Sequence, residues 1–192
     1  MDWIETVNTL LEGELVRLVA ADSEADAELL VRWLRDSEYQ RLQDSSTARP
    51  GSTNQAKQEI REWMEHEKPN GYAFMIRTLS QQRPIGSVEL DGIRWSSGDC
   101  FVGIGIGERE YWGNGYGTDA MRVILRYAFT ELNLHRVSLD VFEYNPRAIR
   151  SYEKAGFTVE GRQRQVLNRD GRRWDLIYMG ILREEWKRLN GQ

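Results

Sequence analysis

Residues Phe101–Ala120, FVGIGIGEREYWGNGYGTDA, form the stretch that decides the fold. In its first part, three apolar residues within Val102–Ile106 alternate with glycine, which is the two-residue period of a strand. The segment Gly113–Gly117 holds three glycines in five residues, and that density predicts a loop. From Thr118 onward, apolar residues recur at the spacing of a packed helix face. The stretch therefore predicts a strand, a glycine loop and a helix.

A glycine loop ahead of a helix offers a site for an anion. Its backbone amides and the positive end of the helix dipole both favour negative charge. Neither familiar nucleotide motif fits, because a P-loop needs a lysine after its last glycine and Gly117 is followed by Thr118 and Asp119. A dinucleotide fingerprint needs a glycine where this chain has Thr118. The residues leave two interpretations, a phosphate ligand of another kind and a glycine-rich connection without a ligand.

A second pattern lies downstream of the predicted helix. His135–Phe142 has the composition of a strand, and it leads into EYNPRAIRSYEKAGF at residues 143–157. Asn145 is a favoured N-cap, Pro146 suits the first helical position, and Gly156 suits the position after the last turn. The full order is glycine loop, helix, strand and a short capped helix.

With this compound pattern, the chain resembles the GCN5-related N-acetyltransferase (GNAT) family, and within it the RimJ/RimL-like branch that acetylates ribosomal-protein N-termini and similar amines. The motifs that carry the resemblance lie between Gly86 and Phe157. The resemblance implies a single α/β (α+β) domain with a mixed, mostly antiparallel sheet flanked by helices. It also implies an enzyme that uses acetyl-CoA as co-substrate, without a metal, and acetylates a primary amine by direct attack on the thioester.

The resemblance assigns residues to the cofactor. The backbone of the strand would pair with the pantetheine arm, and the loop that begins at Trp112 would bind the pyrophosphate. Family loops usually begin with Gln or Arg, so Trp112 removes a cation and leaves more of the task to the amides and the helix dipole. The residues expected to touch the cofactor are Ile104, Gly105, Ile106, Trp112, Gly113, Asn114, Gly115, Tyr116, Gly117, Thr118, Asn145 and Ala148.

Two side chains are expected to take part in the chemistry. Tyr152 matches the family tyrosine that acts as general acid near the thioester sulfur. Asp140 lies where the N-terminal-acetylating branch carries a glutamate base, and its side chain is shorter. An alkylammonium acceptor has a pKa near ~10 and must lose a proton, while a leaving thiolate of pKa about 8.5 benefits from an acid. Glu108 and Glu89 are further candidates for the base, since either could act through water.

The composition restricts the class of protein. A length of 192 residues fits one domain, and a net charge of −4 argues against a general nucleic-acid coat protein. The single Cys100 excludes an internal disulfide, and two histidines far apart argue against a zinc site. An acidic N-terminus and no apolar run of membrane-spanning length predict a cytoplasmic protein without a membrane partner. We expect an N-terminal arm over 1–13, an acetyltransferase domain over 14–183 and a short helical tail over 184–192.

Periodicity and turn signals predict the remaining elements. Tyr39–Gly51 has no clear period, and we expect a loop there that could include a helical turn. Strands are expected at 15–19, 72–76, 85–90, 157–167 and 172–181, and helices at 1–12, from 22 or 23 to 34, 52–64 and 184–189.

The acceptor amine stays open at the level of sequence. A protein N-terminus comes first through the branch resemblance, and a polyamine or an aminoglycoside-type amine comes next. Asp36, Glu38 and Asp44 could receive a cation, or they could form a solvated acidic surface. The arginine-rich hairpin around 168–171 could contact ribosomal RNA, an acidic peptide or the cofactor's 3′-phosphate, or its charge could protect a sheet edge from aggregation.

One alternative to an enzyme is a non-catalytic module that holds acetyl-CoA or CoA as a sensor or partner subunit. The intact Tyr152 favours the enzyme, whereas Trp112 and the unidentified base leave room for the module. The N-terminal arm carries Trp3 and could serve as a homodimer contact.

Overall fold

The computed structural model describes residues 10–21, 25–49, 52–54, 57–58 and 70–191. These residues form a sheet of seven strands, in the order β1-β2-β3-β4-β5-β7-β6. The strands are β1 (Val16–Val19), β2 (Tyr72–Thr78), β3 (Pro84–Arg94), β4 (Asp99–Ile106), β5 (Arg136–Phe142), β6 (Thr158–Arg169) and β7 (Arg172–Leu182). The helices are α1 (Ala25–Trp33), α2 (Ser37–Gln43), α3 (Tyr116–Arg126), α4 (Pro146–Ala155) and α5 (Arg183–Leu189). A 3₁₀ turn spans Arg109–Tyr111, and a π-helical turn over Tyr127–Glu131 extends α3.

The sheet confirms the predicted mixed, mostly antiparallel architecture. The pair β4 and β5 is parallel, and the other neighbouring strands are antiparallel. β4 and β5 pair where Asp99–Phe101 lies beside Arg136–Ser138. Beyond that point both strands continue, but no further pairing joins them among the described residues. A gap therefore opens in the middle of the sheet.

The two faces of the sheet carry different helices. On one face, α3 buries Ala120 and Ile124 in the same core cluster as Val137 and Leu139 of β5. On the other face, α1 and α2 lie over glycines at the end of β4 and just after it. A Cβ atom at Gly107 would come within 2.0 Å of the Trp33 ring, and one at Gly105 within 2.3 Å of the Tyr39 hydroxyl. The glycine alternation therefore serves to seat these aromatic side chains on the sheet.

The region predicted as a loop over Tyr39–Gly51 begins inside a helix. Asp36 caps α2, because its carboxylate accepts hydrogen bonds from the backbone N–H groups of Glu38 and Tyr39. The short helix buries Tyr39 without an apolar repeat that periodicity could detect. The helical turn allowed within the predicted loop is therefore present over Tyr39–Gln43, and the helix already begins at Ser37.

The glycine loop is also shorter than predicted. Gly115 adopts a left-handed φ of 90° and is the N-cap of α3, so the helix begins at Tyr116 and includes Gly117. By contrast, the caps of α4 are confirmed. The Asn145 side chain accepts from Ala148 N, and Gly156 ends the helix with a φ of 105°.

Several expected elements fall outside the described residues. These are most of the predicted helix over 1–12 and most of the one over 52–64. The end of the predicted N-terminal arm is described, and Leu11 packs against the core there. No helix in the described ranges is long and apolar enough to cross a membrane.

Asp119 fastens this N-terminal segment to α3. Its buried carboxylate accepts from the backbone N–H groups of Glu14 at 3.1 Å, Leu15 at 2.7 Å and Val16 at 3.0 Å. A Cβ atom at Gly13 would lie 2.3 Å from an oxygen of this carboxylate. One acidic side chain therefore satisfies three consecutive donors at the start of β1.

Replacing Asp119 with alanine is expected to lower the free energy of unfolding by about 2 to 4 kcal/mol, because it leaves buried backbone donors without an acceptor. Equilibrium unfolding in urea measures the change. The matched control is Asp91→Ala, which removes an exposed carboxylate from β3 and should shift the free energy of unfolding by less than about 0.5 kcal/mol. Equal stability of the two variants would contradict this role.

Candidate active site

A cavity of about 250 Å³ lies at the gap between β4 and β5. Three parts of the chain close it: α2 on one face of the sheet, the glycine loop with the start of α3 on the other, and α4. Its lining residues are Tyr39, Leu42, Gln43, Ile104, Ile106, Tyr111, Trp112, Gly113, Gly115, Gly117, Thr118, Asp140, Val141, Phe142, Asn145, Arg147, Ala148, Arg150, Ser151, Tyr152 and Lys154.

Most residues predicted to touch the cofactor lie together in this lining. Among the described residues, Gly105, Asn114 and Tyr116 of the predicted set lie outside it. Gly105 faces the Tyr39 hydroxyl instead. The Asn114 side chain donates to the carbonyl of Glu110, and the Tyr116 ring packs edge-on against Tyr111.

The main chain of β4 presents polar groups to the gap. The N–H of Gly107 donates to Ile85 of β3, and alternate residues of a strand direct their polar groups to opposite sides. The N–H and C=O groups of Ile104 and Ile106 therefore face the side from which β5 has diverged. Both carbonyls already accept a hydrogen bond from a side chain. Gln43 Nε2 donates to the Ile104 carbonyl, and Trp112 Nε1 donates to the Ile106 carbonyl.

The glycine loop and α4 form the cavity wall on the face of the sheet that α3 covers, which is called the helical face. Gly113 and Gly115 have φ values of 77° and 90°, so the loop adopts backbone conformations that side chains rarely reach. The hydroxyls of Thr118 and Ser151 lie 2.8 Å apart and tie the start of α3 to α4. Backbone amides at a helix N-terminus thus line a cavity wide enough for a ligand.

Tyr152 lies on the cavity wall two turns into α4. Its ring packs edge-on against Phe157, with ring centroids 6.2 Å apart. Burial, with a smaller contribution from the charge of Asp140, raises the pKa of Tyr152 to about 12. Its hydroxyl therefore keeps its proton at every physiological pH and can donate a hydrogen bond to a developing negative charge.

Asp140 faces the opposite side of the sheet. Its strand neighbours Leu139 and Val141 are buried in the core, so the alternation of β5 turns Asp140 towards the face covered by α2. Burial raises the pKa of the Asp140 carboxyl above its ordinary value. A carboxylate with a raised pKa is a better proton acceptor than an ordinary one.

Partners within the protein already engage Glu108, a candidate for the base, and the three carboxylates considered as a cation receptor. Glu108 accepts from Trp33 Nε1 at 2.8 Å and pairs with two arginines. Asp36 and Glu38 both hold Arg109, and Asp44 accepts from the backbone N–H of Ser46.

Part of the arginine-rich hairpin packs against the chain around the end of α2, so the hairpin does not face solvent along its whole length. Arg169 donates to the carbonyls of Arg41, Asp44 and Ser46 and to the Tyr144 hydroxyl. Its guanidinium thus fixes the chain that follows α2. Arg162 pairs with Glu143 and Asp175, and Arg172 stacks on Trp174. Much of the hairpin's positive charge is engaged within the protein.

Sequence reasoning missed several lining residues. Tyr39 and Gln43 belong to α2, where at most a helical turn was expected, and burial raises the pKa of the Tyr39 hydroxyl well above its usual range. Arg147, Arg150 and Lys154 share one face of α4, and their spacing of three, four and seven residues could have identified them as a basic stripe. In the described part of the chain, no group of three or more His, Cys, Asp or Glu side chains is placed to hold a metal ion.

Comparison with known proteins gives one family and several relatives. Residues 16–158 match the family described as Acetyltransferase (GNAT) domain. Spermidine N(1)-acetyltransferase of Vibrio cholerae is 35% identical over 121 residues, which are 63% of this chain and 69% of that protein. A putative ribosomal N-acetyltransferase of Bacillus subtilis is 37% identical over 79 residues, 41% of this chain and 43% of that protein.

A solved structure extends the similarity to the whole fold. It is the crystal structure of spermidine N-acetyltransferase from Vibrio cholerae in complex with CoA and spermine. The TM-score is 0.77 at 26% sequence identity, and the match covers 89% of this chain and 97% of that chain.

Proposed function

Since the chain belongs to the GNAT acetyltransferase family and is an acetyl-CoA-dependent N-acetyltransferase, we propose that its acceptor is the α-amine of a protein or peptide N-terminus. The observation that carries this proposal is the pair of opposed groups at the gap. Asp140 faces the side of α2, while Tyr152 belongs to α4 on the helical face. An amine and a thioester can then meet in the gap from opposite sides.

The donor would lie along the helical face. We propose that the pantetheine arm runs beside Ile104 and Ile106 and that the phosphates lie against the glycine loop at the start of α3. The amides there and the helix dipole suit an anion. Asn145 and Ala148, at the first turn of α4, would border the arm. Acetyl-CoA supplies the acyl group and the thiol leaving group.

On the other side, the protein's groups suit a single amine. Asp140 would take a proton from the acceptor, directly or through water. Tyr152 would donate a hydrogen bond to the sulfur as negative charge develops there. The geometry would contribute further by holding the amine beside the thioester.

The number of carboxylates favours an α-amine over a polycation. Among the described residues that line the cavity, Asp140 is the one carboxylate, and Asp36 and Glu38 are held by Arg109. An α-amine has a pKa of about 7.7 to 8.0 against about 10.4 for an alkyl amine, so near neutral pH its attacking form is roughly two hundredfold to four hundredfold more abundant. A modest base is therefore sufficient for an N-terminus.

A polyamine is the second candidate, and the relatives favour it. The Vibrio cholerae protein with 35% identity is a spermidine acetyltransferase, and so is the protein of the CoA and spermine complex. A protonated polyamine would need negative charge beyond Asp140 along its length. Glu89, whose charge acts on Tyr39, is near enough to the α2 wall to contribute.

A competition experiment tests the acceptor. Purified protein is given acetyl-CoA with equal concentrations of spermidine, a peptide with a free N-terminus and the same peptide with a blocked N-terminus and one lysine. Mass spectrometry then locates the acetyl group. We expect acetylation of the free N-terminus at least tenfold faster than of the other two. Preferential acetylation of spermidine would overturn the α-amine and establish the second candidate.

A further inference from the structure

Trp112 begins the glycine loop, and its ring lies beside arginine side chains from outside the loop. The indole Nε1 donates to the carbonyl of Ile106 at 2.6 Å, which fixes the ring to the end of β4. Two guanidinium groups stack on this ring. The Arg147 carbon Cζ lies 3.9 Å from the ring centroid, and the Arg109 Cζ lies 5.3 Å away.

The two arginines differ in how their charge is neutralised. Arg109 donates two hydrogen bonds of 2.6 Å to Asp36 and pairs with Glu38 at 2.7 Å. In the described part of the chain, the Arg147 guanidinium has neither a hydrogen bond nor an ion pair. Its half-buried position lowers the pKa of Arg147, although an arginine stays protonated at any physiological pH. The charge of Glu38 acts on Arg147 without a direct contact, and Glu38 is itself paired with Arg109. The N–H groups of Arg147 therefore have no acceptor among the described protein groups.

The position of Arg147 indicates what kind of ligand its guanidinium could bind. The residue lines the cavity together with Gly113 and Gly115 of the loop. Stacking on an aromatic face engages the plane of a guanidinium, while its N–H donors lie in that plane and point sideways. Those donors remain available for the oxygens of a phosphate, which the guanidinium fork fits well.

We propose that Arg147 binds a phosphate group of CoA and that Trp112 is the residue that positions it. The positive charge at this wall belongs to α4, and the indole ring fixed to β4 holds it in place. The inference rests on the proposed donor site and adds its specificity for the nucleotide part of the donor. The phosphate could belong to the diphosphate or to the 3′-phosphate, which share the same oxyanion chemistry.

The test compares binding of CoA, dephospho-CoA and pantetheine by calorimetry in wild type, Arg147→Gln and Trp112→Leu. We expect Arg147→Gln to weaken CoA binding roughly tenfold to a hundredfold and to leave pantetheine binding unchanged. Trp112→Leu should weaken CoA binding to a similar extent, and the double variant should bind CoA no more weakly than Arg147→Gln alone. Trp112→Phe keeps an aromatic face but lacks the Nε1 hydrogen bond that fixes the ring, so its loss of affinity should lie between that of wild type and that of Trp112→Leu. Loss of the effect with dephospho-CoA would assign Arg147 to the 3′-phosphate, and an equal effect would assign it to the diphosphate.

A matched control is Arg188→Gln, which removes the same charge from an exposed position on α5 and should leave CoA affinity unchanged. Unchanged CoA binding by Arg147→Gln, or an equal loss with pantetheine, would overturn the inference. A difference from the control in KM for acetyl-CoA, without a change in kcat, supplies a second readout. If wild type itself failed to bind CoA, the proposed donor site would fail; normal CoA binding by wild type and Arg147→Gln alike would reject this inference alone.

Discussion

Replacing Tyr152 with phenylalanine is expected to lower kcat roughly a hundredfold while leaving the affinity for CoA unchanged. The substitution removes one hydroxyl and keeps the ring that packs on Phe157. Because burial raises the pKa of Tyr152 to about 12, the hydroxyl is protonated throughout the working range and can stabilise charge on the departing sulfur. Without this hydroxyl, the departing thiolate would lose a hydrogen-bond donor.

The measurement is steady-state kinetics combined with calorimetry of CoA binding. Tyr127→Phe is the matched control, because it removes the hydroxyl of another half-buried tyrosine outside the cavity lining and should leave kcat within about twofold of wild type. The high pKa of Tyr152 also predicts that wild-type activity shows no alkaline loss through this group up to about pH 10. A Tyr152→Phe variant with wild-type kcat would exclude the donor role.

The second large effect is expected for Asp140→Asn, which should reduce kcat/KM roughly tenfold to a hundredfold. The pKa of Asp140 is raised by burial, so its basic form appears as the pH rises through a value above the ordinary one of about 3.9. Part of the acid limb of the wild-type pH profile should reflect deprotonation of Asp140, and that part should disappear in the variant. The limb caused by deprotonation of the acceptor amine should remain.

The same substitution is expected to increase stability at neutral pH. A carboxyl with a higher pKa in the folded than in the unfolded chain binds its proton more tightly when folded. Wild-type stability therefore falls as the pH rises from the unfolded value through the raised folded value, and asparagine removes this loss. Urea unfolding at pH 7 and at pH 3 measures the difference, which should be present at the first pH and vanish at the second. Asp91→Asn, on β3 and outside the cavity lining, is the control, and a neutral-pH destabilisation by Asp140→Asn would contradict this effect.

Local sequence signals were sufficient for much of the fold. The alternation in Val102–Ile106 identified the central strand, and Asn145, Pro146 and Gly156 marked both ends of α4 because capping acts within a few residues. The start of α3 was misplaced because a dense run of glycines hides the point at which one of them serves as the N-cap. In the structure that residue is Gly115.

Other parts of the site depend on contacts that sequence spacing does not contain. α2 begins at Asp36 and is held by burial of Tyr39, whose ring fits over Gly105 only because β4 lies beneath it. Arg147 and Trp112 belong to different elements, and nothing in their sequence spacing predicts that one stacks on the other. For Asp140, the alternation of β5 predicts the face of the sheet on which the side chain lies. It does not predict that this position borders a cavity, which exists because β4 and β5 diverge.

The most direct test of acetyl transfer at the gap is release of CoA thiol from acetyl-CoA by purified protein, with a free peptide N-terminus, spermidine and an aminoglycoside each offered as acceptor. We predict thiol release that depends on the acceptor, exceeds the rate without protein and falls roughly a hundredfold in Tyr152→Phe. Release at the uncatalysed rate with every acceptor, from protein whose melting temperature CoA still raises, would contradict catalysis and indicate a module that only binds CoA.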